Sequence, residues 1–542
     1  MGIENKLDCH VLVIGSGGAG IRAAVEAERF GETIIVSKTI TGKGGCTVMA
    51  EGGYNAVLNE KDSVQTHFED TLKGGAFLND EALVEILASE ASARIRDLFS
   101  WGAIFDLATD DTIAQRPFGG QRCARTCFAG DHTGHELVMT LLEKLRGSSV
   151  KIENEVTVLD LLKEDDRVSG AITCDREGNL GVITADSVIL ATGGAGQIYD
   201  TTTNSTAGTG DGYALGYRAG AQLIDMEQVQ FHPTGAVTPY DSRGRLITEA
   251  VRGEGGILKN AIGERFMTKY DPARMELSTR DVVARGIATE VLEGRGTEHG
   301  GVWLDVSHLP REHIETRLPI MLNQFLQFGV DIRNEPMEVA PTAHHFMGGL
   351  KITPEAKTTV SHLYAAGEVT GGIHGANRLG GNALADTQVF GRRAGISAGK
   401  TERTSRHIDA DQIKAAEDKL ASYYHGSKKS ADVRRLMKTI MWNNVGIYRN
   451  ELDLRVAMRE IQKLQNIHLK IESPRELPDA VITENMLLVA QLVIEGAMLR
   501  RESRGAHTRT DVKQTWTNET SPFGHTFFVK GKSGIEVLEG KL

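Results

Sequence analysis

The sequence contains few cysteines, and their arrangement excludes several kinds of site. The five cysteines in 542 residues form an odd and widely spaced set, Cys9, Cys46, Cys123, Cys127 and Cys174, which argues against a disulfide framework. Cys123 and Cys127 lie four residues apart, but no second cysteine pair and no histidine cluster accompanies them. Because zinc and iron–sulfur sites need such a set of ligands, we predict no metal site in this chain.

The sequence also lacks a long apolar run and an excess of basic residues. No run of about 18 apolar residues occurs, and the most apolar stretch, 486–499, contains Gln491 and Glu495 and is typical of an amphipathic helix. We therefore predict no membrane span. A net charge of −11 argues against nucleic-acid binding, which requires a basic face. The N-terminus has no basic segment followed by an apolar one, so we expect a cytoplasmic location, either free or peripheral to a membrane complex.

The N-terminal segment has the pattern of a dinucleotide-binding unit with one expected residue missing. The apolar run 10–14, the G-x-G-x-x-G motif at 15–20, the helix-forming segment 21–30 and a second apolar run at 33–36 follow in the order of a βαβ unit. Such glycines allow a tight turn and bring the backbone close to a pyrophosphate at the helix N-terminus. An acidic residue that binds a ribose is expected after the second strand, but the dipeptide Ser37–Lys38 stands there. The sequence therefore predicts a dinucleotide site and does not favour an NAD enzyme.

Glycine is abundant, and two further glycine-rich segments extend the predicted site. Of the 542 residues, 61 are glycine, a share above the average of about 7%. The segments 42–57 and 191–196 are both rich in glycine, and the second directly follows the apolar run 187–190. Backbone without side chains can pack closely along a flat ligand, so we expect both segments to approach the same dinucleotide. The segment 209–212 is predicted to start a further helix.

From Phe231 the pattern changes to arginine, glutamate and histidine within apolar or glycine-rich sequence. These residues are concentrated in the segments 231–234, 246–256, 277–285 and 342–349. Guanidinium groups bind carboxylates in a bidentate manner, so several of them in one segment predict a dicarboxylate site. The strand-and-glycine pattern resumes at 363–384, which makes 231–349 an insert in the dinucleotide domain.

The C-terminal part of the chain is predicted to be mostly helical. The segments 433–469 and 482–501 have helical periodicity, and an apolar stripe runs through Leu452, Val456, Ile461 and Leu464. Such a stripe is more often part of a core than of a cofactor site. A mostly irregular tail is expected to follow.

These motifs, together with the segments 115–120 and 502–507, resemble the flavoprotein subunit of the succinate dehydrogenase and fumarate reductase family. L-Aspartate oxidase is a close relative of that family. The resemblance covers nearly the whole chain and implies an α/β fold. It predicts a Rossmann-type FAD-binding domain (1–230 and 350–405), an inserted α+β capping domain (231–349), a C-terminal helical domain (406–505) and a C-terminal tail (506–542).

The resemblance implies FAD as the cofactor. The residues that it assigns to FAD are Gly15, Gly17, Gly18, Ala19, Gly20, Ser37, Lys38, Gly45, Cys46, Thr47, Gly52, Gly53, Asp211, Glu368, Asn382, Ala383 and Leu384. Many members carry a histidine that bonds covalently to the flavin, but Cys46 stands at that position here. We therefore predict non-covalent FAD, with a cysteinyl thioether as the alternative.

The resemblance also assigns the residues that bind and convert a C4 dicarboxylate. Substrate-binding roles fall on His232, Thr248, His344 and Arg378, and catalytic roles on Arg280, Glu249 and Arg252. Arg280 matches the proton donor, with Glu249 and Arg252 as the relay that returns its proton. An arginine is a weak acid, so a purely electrostatic role for Arg280 stays open at this point. His345 directly follows the matched histidine and is an alternative to His344.

The predicted function is FAD-dependent reduction of fumarate to succinate. Hydride would come from flavin N5 and the proton from Arg280. An iron–sulfur partner subunit would supply electrons, and the short tail is similar to that of family members that use thiol coenzymes as the source. Succinate oxidation and L-aspartate oxidation are alternatives, although Phe118 occupies the position where aspartate oxidases typically carry an acidic residue. A non-catalytic FAD electron-transfer module is a further alternative.

Overall fold

The computed structural model of the protein describes residues 5–404, 410–532 and 534–540. The strands in chain order are β1 Asn5–Ile14, β2 Thr33–Ser37, β3 Tyr54–Asn55, β4 Gln115–Arg116, β5 Thr126–Cys127, β6 Lys151–Asn154, β7 Val156–Glu164, β8 Arg167–Asp175, β9 Leu180–Leu190, β10 Leu223–Ile224, β11 Val229–Ala236, β12 Ile257–Lys259, β13 Val302–Asp305, β14 Met337–Phe346, β15 Gly349–Lys351, β16 Leu363–Ala365, β17 Thr370–Gly371, β18 Lys428–Lys429, β19 Tyr448–Arg449, β20 Leu469–Lys470, β21 Thr508–Arg509, β22 Thr526–Lys530 and β23 Ile535–Glu539. The α-helices are α1 Gly18–Ala27, α2 Val64–Gly74, α3 Glu81–Ser100, α4 Thr133–Arg146, α5 Asp211–Ala219, α6 Glu249–Gly253, α7 Met267–Tyr270, α8 Arg280–Leu292, α9 Arg311–Arg317, α10 Pro319–Gln327, α11 Asn382–Gly399, α12 Ala410–Ser422, α13 Ser430–Asn444, α14 Glu451–Gln465 and α15 Leu477–Leu499.

The first βαβ unit forms where the sequence predicts it. Strand β1 pairs in parallel with β2, with Val11 beside Thr33 and Ile14 beside Val36. Strand β1 begins five residues earlier than the apolar run, and helix α1 begins at Gly18, inside the glycine motif. The whole of β2 is buried, as expected for a strand in a parallel sheet that is covered on both faces.

The central sheet brings the glycine-rich turns together at one edge. Its order is β6–β2–β1–β9–β8–β7, with β16 also paired to β9. Strands β6, β2, β1, β9 and β16 run parallel to one another, whereas β7 and β8 pair in antiparallel fashion. The carboxyl ends of β1, β9 and β16 therefore lie side by side, and each leads into glycine. Ligands of open α/β sheets bind at this edge.

The insert has its own sheet and its own core. Strands β11, β14, β13 and β12 form an antiparallel sheet in that order, and a separate apolar cluster includes Val251, Phe266, Ile287 and Phe325. Asp131, from the N-terminal part of the chain, accepts hydrogen bonds from the backbone N–H groups of Ile320 and Met321 at the start of α10. This contact joins the insert to the domain beneath it.

The C-terminal helices pack around the long helix α15. One helix within the described residues, Pro474–Leu499, is long and apolar enough to cross a membrane by length and composition, and 72% of its most apolar window is buried inside the protein. The predicted apolar stripe of α14 is correct at Ile461 and Leu464, which are buried, but wrong at Leu452 and Val456. Leu452 is 72% exposed, and the buried residues are Leu454, Ala457, Ile461 and Leu464.

The tail is more regular than the sequence indicates. Strands β22 and β23 form an antiparallel hairpin, and β22 pairs with β10 so that Phe528 lies beside Leu223. The expectation of a mostly irregular tail is therefore wrong for 526–530 and 535–539, because the strand that β22 joins lies about 300 residues earlier in the chain. The predicted boundary at 405–406 lies outside the described residues.

Candidate active site

A cavity of about 760 Å³ lies at the glycine-rich edge of the central sheet and extends to the insert. Most of the residues assigned to FAD from the sequence line it, namely Gly15, Gly17, Gly18, Ala19, Ser37, Lys38, Gly45, Cys46, Thr47, Gly52, Gly53, Asp211, Glu368, Ala383 and Leu384. Gly20 and Asn382 do not line it. The side chain of Asn382 is buried against Asn55 and His67.

The glycine motif has the shape that a dinucleotide needs. A Cβ atom on Gly17 would meet nothing closer than Thr47 Oγ1 at 3.5 Å, so it would project into the cavity at the start of α1. A Cβ atom on Gly20 would lie 1.9 Å from the carbonyl oxygen of Gly15. Gly17 thus leaves the helix N-terminus open to a phosphate, and Gly20 allows the helix to pack on the turn. These residues therefore fit a dinucleotide cofactor and would hold its pyrophosphate at the start of α1.

The end of β2 carries a lysine–aspartate pair. Lys38 Nζ lies 2.5 Å from Asp211 Oδ2 and also donates to Thr209. Asp211 accepts a further bond from Asn485 at 2.8 Å. Burial alone would raise the pKa of Asp211, but Lys38 and these hydrogen bonds hold it below its usual value. A carboxylate is therefore present at the end of β2, although it comes from a distant part of the chain.

Cys46 faces the cavity as a protonated thiol. Burial, together with the nearby Glu368 carboxyl, raises the pKa of Cys46 to about 12. The thiolate is the nucleophilic form of cysteine, so this environment disfavours attack on a flavin. Non-covalent FAD stays a prediction. Cys123 and Cys127 have different neighbours: the Cys123 thiol lies near Lys61 and that of Cys127 near Gln115.

The end of the cavity beneath the insert holds an arginine–glutamate–arginine line. Arg280 Nε donates to Glu249 Oε2 at 2.9 Å, and Arg252 Nη2 lies 3.9 Å from the same oxygen. The other oxygen of Glu249 accepts from the N–H of Gly119 at 2.8 Å. Burial would raise the pKa of Glu249, but the two guanidinium groups and the Gly119 N–H keep it below its usual value. Arg280 and Glu249 line the cavity, whereas Arg252 lies behind them.

Arg378 provides a second buried guanidinium in the same part of the cavity. Its Nε has no hydrogen-bond partner among the described residues. Burial, followed by the charge of Arg280, lowers the pKa of Arg378 to about 9. Arg280, Arg378 and Arg252 carry three positive charges against the one negative charge of Glu249, which leaves a net charge of +2. An excess of positive charge among these four buried residues favours the binding of an anion, and Glu368 and Asp386 offset part of the charge of Arg378.

Two histidines complete this part of the site. The rings of His232 and His344 lie 5.0 Å apart between centroids, and Thr203 Oγ1 lies 2.7 Å from His344 Nδ1. Burial and the charge of Arg280 hold the pKa values of both histidines well below the usual range. Both rings are therefore neutral at physiological pH. The sequence offers no signal for Thr203, which positions His344 from a loop about 140 residues away.

The remaining predicted residues are placed as follows. Thr248 is buried, lines the cavity and caps α6 by accepting from the Ala250 N–H. His345 also lines the cavity, but its ring turns towards Glu368, with Nδ1 3.5 Å from Oε1. His344 and His345 thus occupy different positions, and His344 is the one beside His232. Glu51 is a lining residue that the sequence did not single out, and burial raises its pKa well above the usual value.

Family comparisons agree with this geometry. A family model described as "FAD binding domain" matches residues 10–384, and one described as "Fumarate reductase flavoprotein C-term" matches residues 434–537. One subunit of the fumarate reductase (CoM/CoB) of Methanothermobacter marburgensis is 53% identical over 528 residues, which cover 95% of this chain and 96% of that one. The chain belongs to the succinate dehydrogenase and fumarate reductase flavoprotein family. The flavoprotein is therefore an FAD-dependent oxidoreductase, as the sequence predicts.

More distant relatives share the whole architecture with this flavoprotein. The fumarate reductase flavoprotein subunit of Mycobacterium tuberculosis is 38% identical and covers 93% of this chain and 92% of its own length. The structure of the E. coli quinol fumarate reductase FrdA superposes with a TM-score of 0.93 at 32% identity, covering 99% of this chain and 97% of that one. Mycobacterium smegmatis Sdh1 gives a TM-score of 0.87 at 38% identity, with coverage of 99% and 94%. The predicted fold class is confirmed.

Proposed function

We propose that this flavoprotein reduces fumarate to succinate at the arginine-rich end of the cavity. The observation that carries the proposal is the Arg280–Glu249–Arg252 line beside Arg378. These side chains provide a net charge of +2 for a substrate with two carboxylates. They also place Arg280 at the cavity wall with its Nε hydrogen-bonded to Glu249, and Arg252 forms an ion pair with the same carboxylate at 3.9 Å.

The substrate-binding roles follow from the donors that face the cavity. The free Nε of Arg378 and the ring of His344 would hold one carboxylate, and His232 with Thr248 would hold the other. Neutral imidazoles can donate one N–H each, and Arg378 supplies charge-assisted bonds. Positive charge beside a carboxylate draws electrons from the conjugated double bond and stabilises the charge that develops when hydride arrives.

The glycine motif, the 42–57 segment and the Lys38–Asp211 pair would hold FAD, which would supply the hydride chemistry of a reduced flavin when bound. Arg280 then gives a proton to the second carbon of the double bond. Because Arg280 Nε is bonded to Glu249, the proton that it loses can be replaced through that carboxylate from Arg252. A relay of this kind makes an arginine a workable acid, since the guanidinium is never left deprotonated.

The residue at position 118 favours fumarate over L-aspartate. Phe118 lines the cavity next to Gly119, whose N–H binds Glu249. An aromatic side chain offers no carboxylate for the ammonium group of an amino acid. We therefore propose fumarate, with succinate oxidation as the reverse of the same chemistry.

We also propose that an iron–sulfur partner subunit delivers the electrons. The support is the M. marburgensis relative, whose name specifies one subunit of a larger enzyme together with CoM and CoB. Thiol coenzymes are accordingly the proposed electron source. Purification of the native complex, followed by iron analysis and a comparison of thiol donors with a quinol, tests this part.

The reaction itself is tested with the purified FAD-bound protein. Anaerobic oxidation of a reduced viologen dye should depend on fumarate. Hydrogen peroxide should not be released in air when L-aspartate is added. Peroxide release with L-aspartate and no turnover with fumarate would contradict the proposal in favour of an aspartate oxidase, and turnover with neither would favour an electron-transfer module.

A further inference from the structure

Gln230 connects the two arginines of the proposed site, and no role was assigned to it from the sequence. Its side chain is buried on strand β11, two residues before His232. The amide oxygen accepts a hydrogen bond from Arg280 Nη1 and one from Arg378 Nη2, each at 3.2 Å. One carbonyl oxygen thus contacts both the proposed proton donor and the proposed carboxylate-binding residue.

The opposite end of the amide is fixed by acceptors. Gln230 Nε2 donates to Asn377 Oδ1 and to the carbonyl oxygen of Arg378, both at 2.8 Å. With two donors and two lone pairs engaged, the hydrogen-bonding capacity of this amide is filled.

The chemistry of the neighbours determines which way the amide faces. Asn377 Nδ2 donates to Asp281 Oδ1 at 3.0 Å and to the carbonyl of Gly74 at 3.2 Å. Both of these oxygens can only accept, so Asn377 must present its own oxygen to Gln230. A guanidinium can only donate, so the oxygen of Gln230 must face the arginines. The orientation of the amide therefore follows from its neighbours alone.

We propose that Gln230 is a positioning residue that holds the proton donor Arg280 and the carboxylate clamp Arg378 in register without neutralising either charge. This inference rests on the proposed function, since it gives these arginines their roles. Arg280 belongs to the insert, at the start of α8, whereas Arg378 belongs to the segment that follows the insert. The two guanidinium groups repel each other, and a neutral carbonyl dipole shared between them offsets that repulsion while leaving the net charge of +2 available to the substrate.

A glutamate at this position would have a different effect. Its carboxylate would bind both arginines more strongly, would remove one unit of positive charge from the site and would face two acceptors, Asn377 Oδ1 and the Arg378 carbonyl, with no donor. A methionine of similar size would remove all four hydrogen bonds without adding charge. Gln230→Met therefore reports the effect of losing the hydrogen bonds, and Gln230→Glu reports the effect of an added negative charge.

The experiment compares Gln230→Glu, Gln230→Met and a matched control, Gln228→Met, in the FAD-bound protein. Gln228 is a buried glutamine nearby whose side-chain nitrogen and oxygen have no hydrogen-bond partner among the described residues. The measurements are kcat and KM for fumarate with a reduced viologen dye, and the dissociation constant of fumarate from the oxidised enzyme, followed by flavin absorbance. Bound FAD and the unfolding temperature are recorded for each protein.

We expect Gln230→Met to lower kcat about tenfold or more, since small misplacements of reacting groups have effects of this size. Fumarate binding should weaken in Gln230→Met and weaken further in Gln230→Glu, because the added negative charge opposes a dianion. The control should stay within about twofold of the wild type. A structural role alone would not produce this order of affinities.

Two outcomes would overturn the inference. One is a Gln230→Met enzyme that retains the kcat and the fumarate affinity of the wild type. The other is equal fumarate affinity in the Gln230→Glu and Gln230→Met proteins. If Gln230→Met loses FAD, Gln230→Glu still tests the inference, because glutamate has the same size and shape as glutamine. In that case, an unchanged fumarate affinity in Gln230→Glu overturns the inference. A wild-type protein that neither binds nor reduces fumarate would instead overturn the proposed function and this inference with it.

Discussion

Lys38 Nζ and Asp211 Oδ2 lie 2.5 Å apart although the two residues are 173 positions apart in the sequence. Lys38 follows β2 directly, where a dinucleotide fold usually places an acidic residue for the ribose. Asp211 stands at the first position of α5, so its carboxylate reaches the end of β2 from a distant part of the sequence. We propose that the pair takes part in dinucleotide binding in place of the acidic residue that the end of β2 lacks.

Breaking this pair should weaken FAD binding. Asp211→Asn leaves Lys38 without its counter-charge, and Lys38→Met leaves the buried Asp211 carboxylate uncompensated. We expect the dissociation constant of FAD to rise about tenfold or more in either variant, measured by the fluorescence of released flavin during dilution. Lys429→Met, which removes an exposed pair with Glu472, is the matched control and should bind FAD normally. Unchanged FAD retention in both site variants would show that the pair has no part in cofactor binding.

The proposed donor role of Arg280 predicts a specific loss. Arg280→Lys keeps the positive charge but cannot reproduce the bonds to both Glu249 and Gln230, and Arg280→Ala removes the proton source. We expect both to lower kcat for fumarate by about 100-fold or more, in the range typical for the loss of a general acid. FAD should stay bound in both. The exposed Arg274→Lys serves as the control, and turnover near the wild-type value in either Arg280 variant would refute the donor role.

The environment of Cys46 predicts that FAD is released by acid. Its pKa of about 12 keeps the thiol protonated, so no thioether is expected. After acid precipitation the yellow colour should remain in the supernatant, as measured by flavin absorbance. Cys46→Ser should behave in the same way and keep FAD after purification. Flavin that stays with the wild-type pellet, and is freed by Cys46→Ser, would prove a covalent link.

Glu368 predicts a pH dependence of stability in the FAD-free protein. Burial raises the pKa of Glu368 from 4.5 to about 7, so the folded chain holds its proton more tightly than the unfolded chain does. The contribution to the free energy of unfolding is therefore complete below pH 4.5 and is lost as the pH rises to about 7. At about 1.4 kcal/mol per pKa unit, the loss is on the order of 3 kcal/mol.

Urea unfolding of the wild type and of Glu368→Gln at pH 5 and pH 8 tests this expectation. The amide cannot ionise, so the variant should lose less stability than the wild type between the two values. Both proteins carry the same remaining titratable groups, which makes the difference between them specific to position 368. Parallel curves for the two proteins would show that Glu368 ionises in the folded chain much as it does in the unfolded one.

The sequence by itself determined the local pattern and the family. The glycine spacing of 15–20 and the apolar runs on either side could be assigned from neighbouring residues. Periodicity and spacing report the face and the ends of one element. They fail where two faces of a helix compete, as in α14, where Leu452 is exposed and Leu454 is buried.

Only the tertiary structure decided which side chains meet. The Lys38–Asp211 pair, the Thr203–His344 contact, the Gln230 junction and the pairing of β22 with β10 all join residues far apart in the chain. No periodic pattern in the sequence predicts such contacts, because the order of the strands and the packing of the insert determine which residues become partners. The electrostatics of the site depend on the same contacts. Most of the charged groups of the proposed site could therefore be identified from the sequence. Their pKa values, their partners and their orientations depend on the fold.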